Sequence, residues 1–455
     1  MVLNIYNSLS RTVEEFKPQS NDSVSLYTCG PTVYNYPHIG NYRAYLFGDV
    51  LKRTFMALGF SVNHIMNITD IDDKTIRDSI KEGKNLLDFT DFYTQEFFKD
   101  RDALGILPAT KYTKATDHIQ EMVLLIEVLL QKKYAYCTPD GSVYFSISHD
   151  NDYGKLSRID IHSLKENASG RLMQDEYEKE NATDFVLWKA WDENDGDVFW
   201  ETSLGKGRPG WHIECSAMSM KYLGTTIDIH TGGIDNMFPH HENEIAQSES
   251  VTEKPFVNYF LHNEHLMVDG KKMSKSAGNF YTLRDIIDKG FNPLTFRYFS
   301  FLTHYRTPLN FTWEALTAAG NALDSIQTFY ALNYTTDTVH IHEPSREAFL
   351  EALANDLNTP LAVAQIFSVM HSKDLTEEVK IGTLTYFDSV LGLNITACIT
   401  EITPEVEKII EKRNIARNNK DYTESDILRS QLEALNLRVF DTKDGTKVVK
   451  KQHSA

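Results

Sequence analysis

Apolar and polar positions first organise at residues 23–29, SVSLYTC, an apolar-rich run stopped by Gly30-Pro31-Thr32. The run predicts a buried strand ended by a turn. After Pro37-His38-Ile39-Gly40-Asn41, apolar residues recur at 46, 47, 50, 51, 55 and 58, and Gly59 closes the series. That spacing is a helical period. A second strand follows at residues 61–66, SVNHIM. Strand, helix and strand in this order form a βαβ unit, hence a parallel sheet. Ligands of such sheets bind beyond the carboxyl ends of the strands, where Cys29, Thr69 and Asp70 fall. The pattern suits an α/β nucleotide-binding domain.

Downstream, a helical region is expected over 88–133, then a hairpin in YAYCTPDGSVYFSIS turning at Asp140-Gly141. Residues 163–184 are polar and charged, as in an exposed loop of an inserted module. Strand and turn signals return from GTTIDIHTGG to KKMSKSAGN and complete the sheet. Past residue 310 the pattern turns helical, and the tail predicts two more helices and a hairpin around Asp444-Gly445. No internal repeat or low-complexity tract interrupts this order.

At 455 residues the chain exceeds one core and predicts two to four domains. With 41% hydrophobic and 24% charged residues it has the composition of a soluble globular protein. Its apolar runs are too short to span a membrane. The start, MVLNIYNSLSRTVEEF, lacks the apolar core of a signal peptide and the Arg-rich character of a transit peptide. Cys29, Cys137, Cys215 and Cys398 are too few and too scattered for a disulfide framework, so a cytoplasmic location is expected.

A net charge of −18 argues on its face against a nucleic-acid partner. From Lys412 to Lys451, however, ten Lys or Arg face six Asp or Glu, a local net of +4, so the remainder carries −22. An acidic body with a basic tail can still bind RNA through selected patches.

The densest chemistry lies in MFPHHENEIAQ, residues 237–247. With Pro239 at the first position of a helix, His240 and Glu244 are four apart and share a face, while His241 and Glu242 point elsewhere. A metal is the natural occupant, but two ligands do not complete a site.

Two further segments suggest phosphate chemistry. In PHIGN, Gly40 lets a nucleotide approach the backbone, and His38 can donate to phosphate oxygens at the positive end of the following helix. The plainer reading is a turn. In KKMSKSAGN, Lys272 and Lys275 sit in a small, flexible stretch able to place ammonium groups against departing pyrophosphate; the plainer reading is a solvated basic loop. The pair, in this order, resembles the signature of class I aminoacyl-tRNA synthetases.

Within that class the chain closely resembles the cysteinyl-tRNA synthetase family over nearly its full length. The resemblance rests on YTCGPTVYNYPHIGN, NITDIDDK, GKGRPGWHIECSAM, DIHTGGIDNMFPHHENEIAQS and KKMSKSAGN. It implies that Cys29 and Cys215 join His240 and Glu244 in one zinc site. Zinc takes such ligands, usually four, and can accept a fifth. A substrate thiolate suits it far better than an alcohol does, so serine would be rejected without an editing domain. Small buried hydrophobes are the duller reading of the two cysteines. The order His-His-Glu-Asn-Glu also departs from the His-Glu-x-x-His of metalloproteases.

By the same resemblance, His38, Lys272 and Lys275 are catalytic, and Pro31, His38, Gly40, Asn41, Lys272, Met273, Ser274, Lys275 and Ser276 bind ATP, with Mg²⁺. Gly30, Thr69, Trp211, His230 and Asp235 line the cysteine pocket, Asp235 pairing with the substrate ammonium. Gly232 and Gly233 allow close ligand approach, and Cys137 and Cys398 are packing residues. Asn41, where most class I enzymes carry His, fits the cysteinyl subfamily. Val448 stands where the family usually has Trp, which leaves no aromatic at that position to stack on an anticodon base.

The expected architecture is a Rossmann-type parallel-sheet catalytic domain over 1–310, with an inserted connective module at about 134–200 and a stem-contact region at about 280–310. A helical tRNA-binding bundle over 311–400 and a small anticodon-binding module over 401–455 follow. The expected partners are ATP, L-cysteine and tRNA(Cys), for a cytoplasmic monomer with no membrane contact. One alternative is a ligase of mycothiol synthesis joining cysteine to an aminosugar; another is a catalytically dead, zinc-stabilised RNA-binding protein.

Overall fold

Ser23–Thr28 lies at the centre of a five-stranded sheet whose order is Val257–Asn263, Ile227–Gly233, Ser23–Thr28, Ser61–Ile68 and Lys111–Lys114. The structure is a computed structural model and describes residues 1–159, 184–273, 278–334, 340–399, 402–442 and 445–450. Every pairing in this sheet is parallel. The chain builds outward on one side of the central strand, then returns to build the other. The order therefore reverses between Ser23–Thr28 and Ile227–Gly233, which opens a crevice at their carboxyl ends.

The helix Ile39–Ala57 begins at a capping box: His38 Nδ1 accepts from the Asn41 amide at 3.1 Å, and Asn41 Oδ1 accepts from the His38 amide at 3.1 Å. Leu46, Leu51 and Phe55 on this helix are fully buried, each worth roughly 1.5–3 kcal/mol of hydrophobic stabilisation. Helix Glu377–Leu391 packs against it from outside the sheet. Between them Asp49 accepts from Arg297 at 2.5 Å, from Arg53 at 2.9 Å and from the Leu107 amide at 2.8 Å.

The structure corrects the expected helical region over 88–133. Helices Leu86–Ala103 and Ile119–Gln131 flank the strand Lys111–Lys114, the sheet's edge. A further helix, Asp73–Lys81, lies ahead of them with Asp72 as its cap. The hairpin Ala135–Cys137/Val143–Ser146 forms as expected and joins Asp184–Ala190, Gly205–Pro209 and Trp200–Thr202 in an antiparallel sheet. Of the polar stretch 163–184, all but Asp184 lies outside the described residues.

Four helices, Trp313–Asn333, Glu343–Ala354, Thr359–His371 and Glu377–Leu391, precede the C-terminal unit. That unit consists of helices Pro404–Asn418 and Tyr422–Ala434 and the hairpin Leu437–Thr442/Gly445–Lys450; Asp444 lies outside the described residues. Val448 faces Val439 across this hairpin and packs with Val406, Ile410 and Leu432, so its position is core. Arg438 grips Asp324 with two bonds, at 2.5 and 2.6 Å, and ties the hairpin to Trp313–Asn333.

Cys398 is buried and donates to the Gln327 and Ile395 carbonyls, as a packing residue should. Cys137 does not pack. It is exposed on a three-residue strand at the end of the antiparallel sheet. No helix among the described residues is long and apolar enough to cross a membrane.

Candidate active site and metal centre

Cys29 follows the central strand, where its amide donates to the Thr231 carbonyl of the neighbouring strand at 3.1 Å. It therefore sits in the crevice where the strand order reverses. Cys215 comes from helix Trp211–Leu223, and Glu244 from helix Glu242–Thr252. His240 comes from the turn that runs on into that second helix. One ligand atom from each of the four lies within 4.8 Å of every other, and all four residues are buried.

The donor set fits a metal ion. Glu244 Oε1 lies 3.1 Å from His240 Nε2, yet it is buried without a well-formed hydrogen bond. Two lone-pair atoms converging with no proton shared between them suit a common cation. Burial pushes the thiols of Cys29 and Cys215 and the Glu244 carboxyl above their ordinary values, and holds His240 and His241 neutral. Neutral imidazoles are the ligand form, and a cation would reverse the cost of the thiolates.

Phe238 is extended and breaks the turn Met237–His241, and from Pro239 the backbone is helical and runs on into Glu242–Thr252, so Pro239 opens the helix as expected. His240 and Glu244 meet across one turn of it. His241 does not point elsewhere: its Nε2 is 3.3 Å from Cys29 Sγ, and with His230 it forms a second four-residue group around Cys29 and Glu244. Glu242 does point away, accepting from the amides of Gly154 and Ser157 at 3.0 and 2.7 Å.

Around these four residues runs a polar shell. His212 Nδ1 is 2.9 Å from His240 Nδ1, leaving the other nitrogen of His240 toward Glu244. His230 Nε2 is 3.0 Å from Glu244 Oε2, and His241 Nδ1 is 2.8 Å from His262 Nε2. Trp211 stacks on the His240 ring at 4.0 Å between centroids. Gly232 leaves room for His241, since a Cβ there would lie 2.8 Å from its ring.

Thr69 donates to Glu214 at 2.9 Å and accepts from Asn67 at 3.1 Å, while Asn67 Oδ1 accepts from the Gly30 amide at 2.7 Å. Asp235 is exposed in the short turn after Gly233. Pro31 borders Thr69, whose amide donates to the Pro31 carbonyl at 3.0 Å.

The residues expected on the phosphate side lie apart from this cluster, around His38. Because its Nδ1 accepts from the Asn41 amide, the neutral ring carries its proton on Nε2, a donor at the helix N-terminus. Gly40 is needed for the cap itself: a Cβ there would lie 2.9 Å from the His38 ring and 3.3 Å from Met273. Lys272 is exposed, and its carbonyl accepts from Asn279 at 3.2 Å. Ser274, Lys275 and Ser276 lie outside the described residues.

Residues 15–321 match the family described as tRNA synthetases class I (C) catalytic domain. The chain is also 46% identical to cysteine–tRNA ligase of Brachyspira hyodysenteriae, over 97% of this chain and 98% of that protein. It is 47% identical to cysteine–tRNA ligase of Chlamydia caviae, with 98% of each covered. The chain belongs to the cysteine–tRNA ligase family.

Solved structures of other class I synthetases share the fold. Methionyl-tRNA synthetase of Mycobacterium tuberculosis superposes with a TM-score of 0.56 at 13% identity, covering 82% of this chain and 90% of that one. Leucyl-tRNA synthetase of Agrobacterium radiobacter gives 0.57 at 12% identity, covering 84% and 85%. Within the cysteine–tRNA ligase fold, sequence reasoning missed Asn67, His212, Glu214, His241 and His262. The first three and His241 stand inside the strings NITDIDDK, GWHIEC and PHHENE, so their signal was proximity to the motifs.

Proposed function

We propose that the chain activates L-cysteine with ATP and transfers it to tRNA(Cys), with Cys29, Cys215, His240 and Glu244 holding a zinc ion. The observation that carries this reading is the buried four-residue cluster at the sheet's switch point, in a chain of the cysteine–tRNA ligase family. When bound, zinc supplies affinity for a thiolate that an alcohol cannot match.

The chain's own residues do the rest. His212 fixes the His240 ring through the 2.9 Å contact between their Nδ1 atoms, an outer partner of the kind metal-bound imidazoles use. Thr69, Trp211, His230 and Gly30 shape the cysteine pocket, and exposed Asp235 pairs with the substrate ammonium. The cysteine carboxylate then attacks the α-phosphate of ATP, forming the carboxyl–phosphate bond as the bond to pyrophosphate breaks. His38 donates from Nε2 to the phosphates, beside Pro31, Gly40, Asn41 and Met273. Lys272 and, by its place in KMSKS, Lys275 neutralise the charge that develops on pyrophosphate, with Mg²⁺; Ser274 and Ser276 belong to the same loop. Such catalysis is positioning and charge stabilisation, with no covalent enzyme intermediate.

In the second step the cysteinyl group passes to the terminal adenosine hydroxyl of the tRNA, releasing AMP. The helices of 311–400 and the module of 401–455, with its basic stretch Lys412–Lys451, grip the stem and anticodon, in a cytoplasmic monomer. The test is cysteine-dependent ATP–pyrophosphate exchange followed by transfer, offering tRNA(Cys) and a free aminosugar in parallel. Charging of tRNA is the expected result. Transfer to the aminosugar alone would overturn it.

A further inference from the structure

Arg43 is buried one turn into the helix that His38 caps. Its guanidinium donates to carbonyl oxygens of two segments distant in sequence: Glu264 and His265, both at 2.6 Å, and Thr307 at 2.5 Å, with longer bonds to His304 and Tyr305 at 3.4 Å. Burial lowers its pKa to about 10, so it stays charged at neutral pH. A buried cation held mainly by backbone carbonyls is costly to keep. The mechanism above does not use it.

The two segments it joins explain its place. Glu264 and His265 lie where the chain leaves the parallel sheet after Val257–Asn263. The next strand, Leu266–Val268, pairs antiparallel with Lys271–Lys272 and parallel with Leu309–Phe311, which Thr307 precedes. Arg43 therefore fastens this small sheet to the His38 helix. A second fastening lies nearer the helix start, where the Ile39 amide donates to the Tyr281 carbonyl at 2.9 Å. Between the two, Met273 lies against Gly40.

We propose that Arg43 is a positioning residue for adenylate formation: it holds the strand carrying Lys272, with Met273 just after it, in register with the helix carrying His38. The proposal rests on the ATP-activating function above. It touches no substrate. Its effect falls on the relative placement of two phosphate-binding segments, and a displacement of about 1 Å can cost on the order of a hundredfold in rate.

The test is cysteine-dependent ATP–pyrophosphate exchange by Arg43→Lys, Arg43→Gln and Arg43→Met, with thermal unfolding and zinc content measured on the same preparations. Lys and Gln keep some donors, so the series stays informative if the Met variant does not fold. Expected is a graded loss of kcat, about tenfold for Lys and about a hundredfold for Gln, with the KM for cysteine changed by no more than about threefold. The proposed cysteine pocket hangs from other strands, which is why the two parameters should separate. Lowered unfolding temperatures with unchanged kcat would overturn the proposal, as would a cysteine KM rising in step with the loss of kcat. If the wild type shows no cysteine-dependent exchange, the underlying reading falls and this one with it. Wild-type exchange with unaltered variants overturns this one alone.

Discussion

Replacing Asn67 with leucine removes the link between two walls of the proposed cysteine pocket. Asn67 is buried on the strand Ser61–Ile68, accepts from the Gly30 amide at 2.7 Å and donates to Thr69 Oγ1 at 3.1 Å. Leucine has a similar size but makes neither bond. Two lost hydrogen bonds at about 0.5–1.5 kcal/mol each, plus about 1–3 kcal/mol for an amide left without a partner, bound the cost. Gly30 is half-buried, so water relieves part of the last figure, and a loss of about 2–4 kcal/mol is expected. That destabilises a chain of this size without unfolding it. Thr69 keeps its bond to Glu214 but loses the donor that sets its rotamer. Pyrophosphate exchange should show kcat/KM for cysteine down by about ten- to a hundredfold, with the KM for ATP little changed because His38 and Lys272 are supported elsewhere. A variant destabilised as expected but with wild-type cysteine kinetics would refute the link between Asn67 and the pocket.

Asp49→Asn should cost about 3–5 kcal/mol at neutral pH by leaving buried Arg297 without its carboxylate. Burial opposes the Asp49 charge, but Arg297 and Arg53 outweigh it and hold the carboxyl below its ordinary 3.8. A depressed folded value gives stability present above pH about 4 and lost as pH falls through it, so denaturation midpoints of wild type and variant should converge below pH 4; a constant gap would contradict this. Truncation before residue 400 should spare pyrophosphate exchange and weaken tRNA charging, because the C-terminal unit has its own core. The salt dependence of tRNA affinity should flatten in the truncated protein, and identical charging and salt dependence with and without the tail would remove it from tRNA recognition.

Much of the fold was legible because the central strands are mostly buried toward their carboxyl ends, and Ser23–Thr28 reads as an apolar-rich run. Lys111–Lys114 was not. KYTK is a short edge strand protected by lysines, which carries little apolar signal. Asp73–Lys81 escaped notice because only Thr75, Ile76 and Ser79 are buried on it, too few to set a period. At the site, the spacing of His240 and Glu244 foretold their meeting. It misplaced His241, because Cys29 and His262, from segments distant in sequence, pack on the side of the helix that His241 occupies, and helical spacing does not record which faces are covered. His212, Asn67 and Glu214 were hidden for another reason: their contacts join segments tens to hundreds of positions apart, which no local pattern records. Cys137 differs from the other three cysteines only in exposure, and a short hairpin strand does not reveal which of its faces is covered.

The central claim is that the buried cluster of Cys29, Cys215, His240 and Glu244 holds the metal on which cysteine selection depends. Its most direct test is the rate of cysteine-dependent ATP–pyrophosphate exchange before chelation, after exhaustive chelation and after zinc is returned, in wild type and in Cys215→Ser. Wild-type exchange should fall with zinc removal and recover with its return, whereas Cys215→Ser should retain little zinc and little exchange throughout. Full activity in chelated protein shown by elemental analysis to hold no zinc would contradict the account.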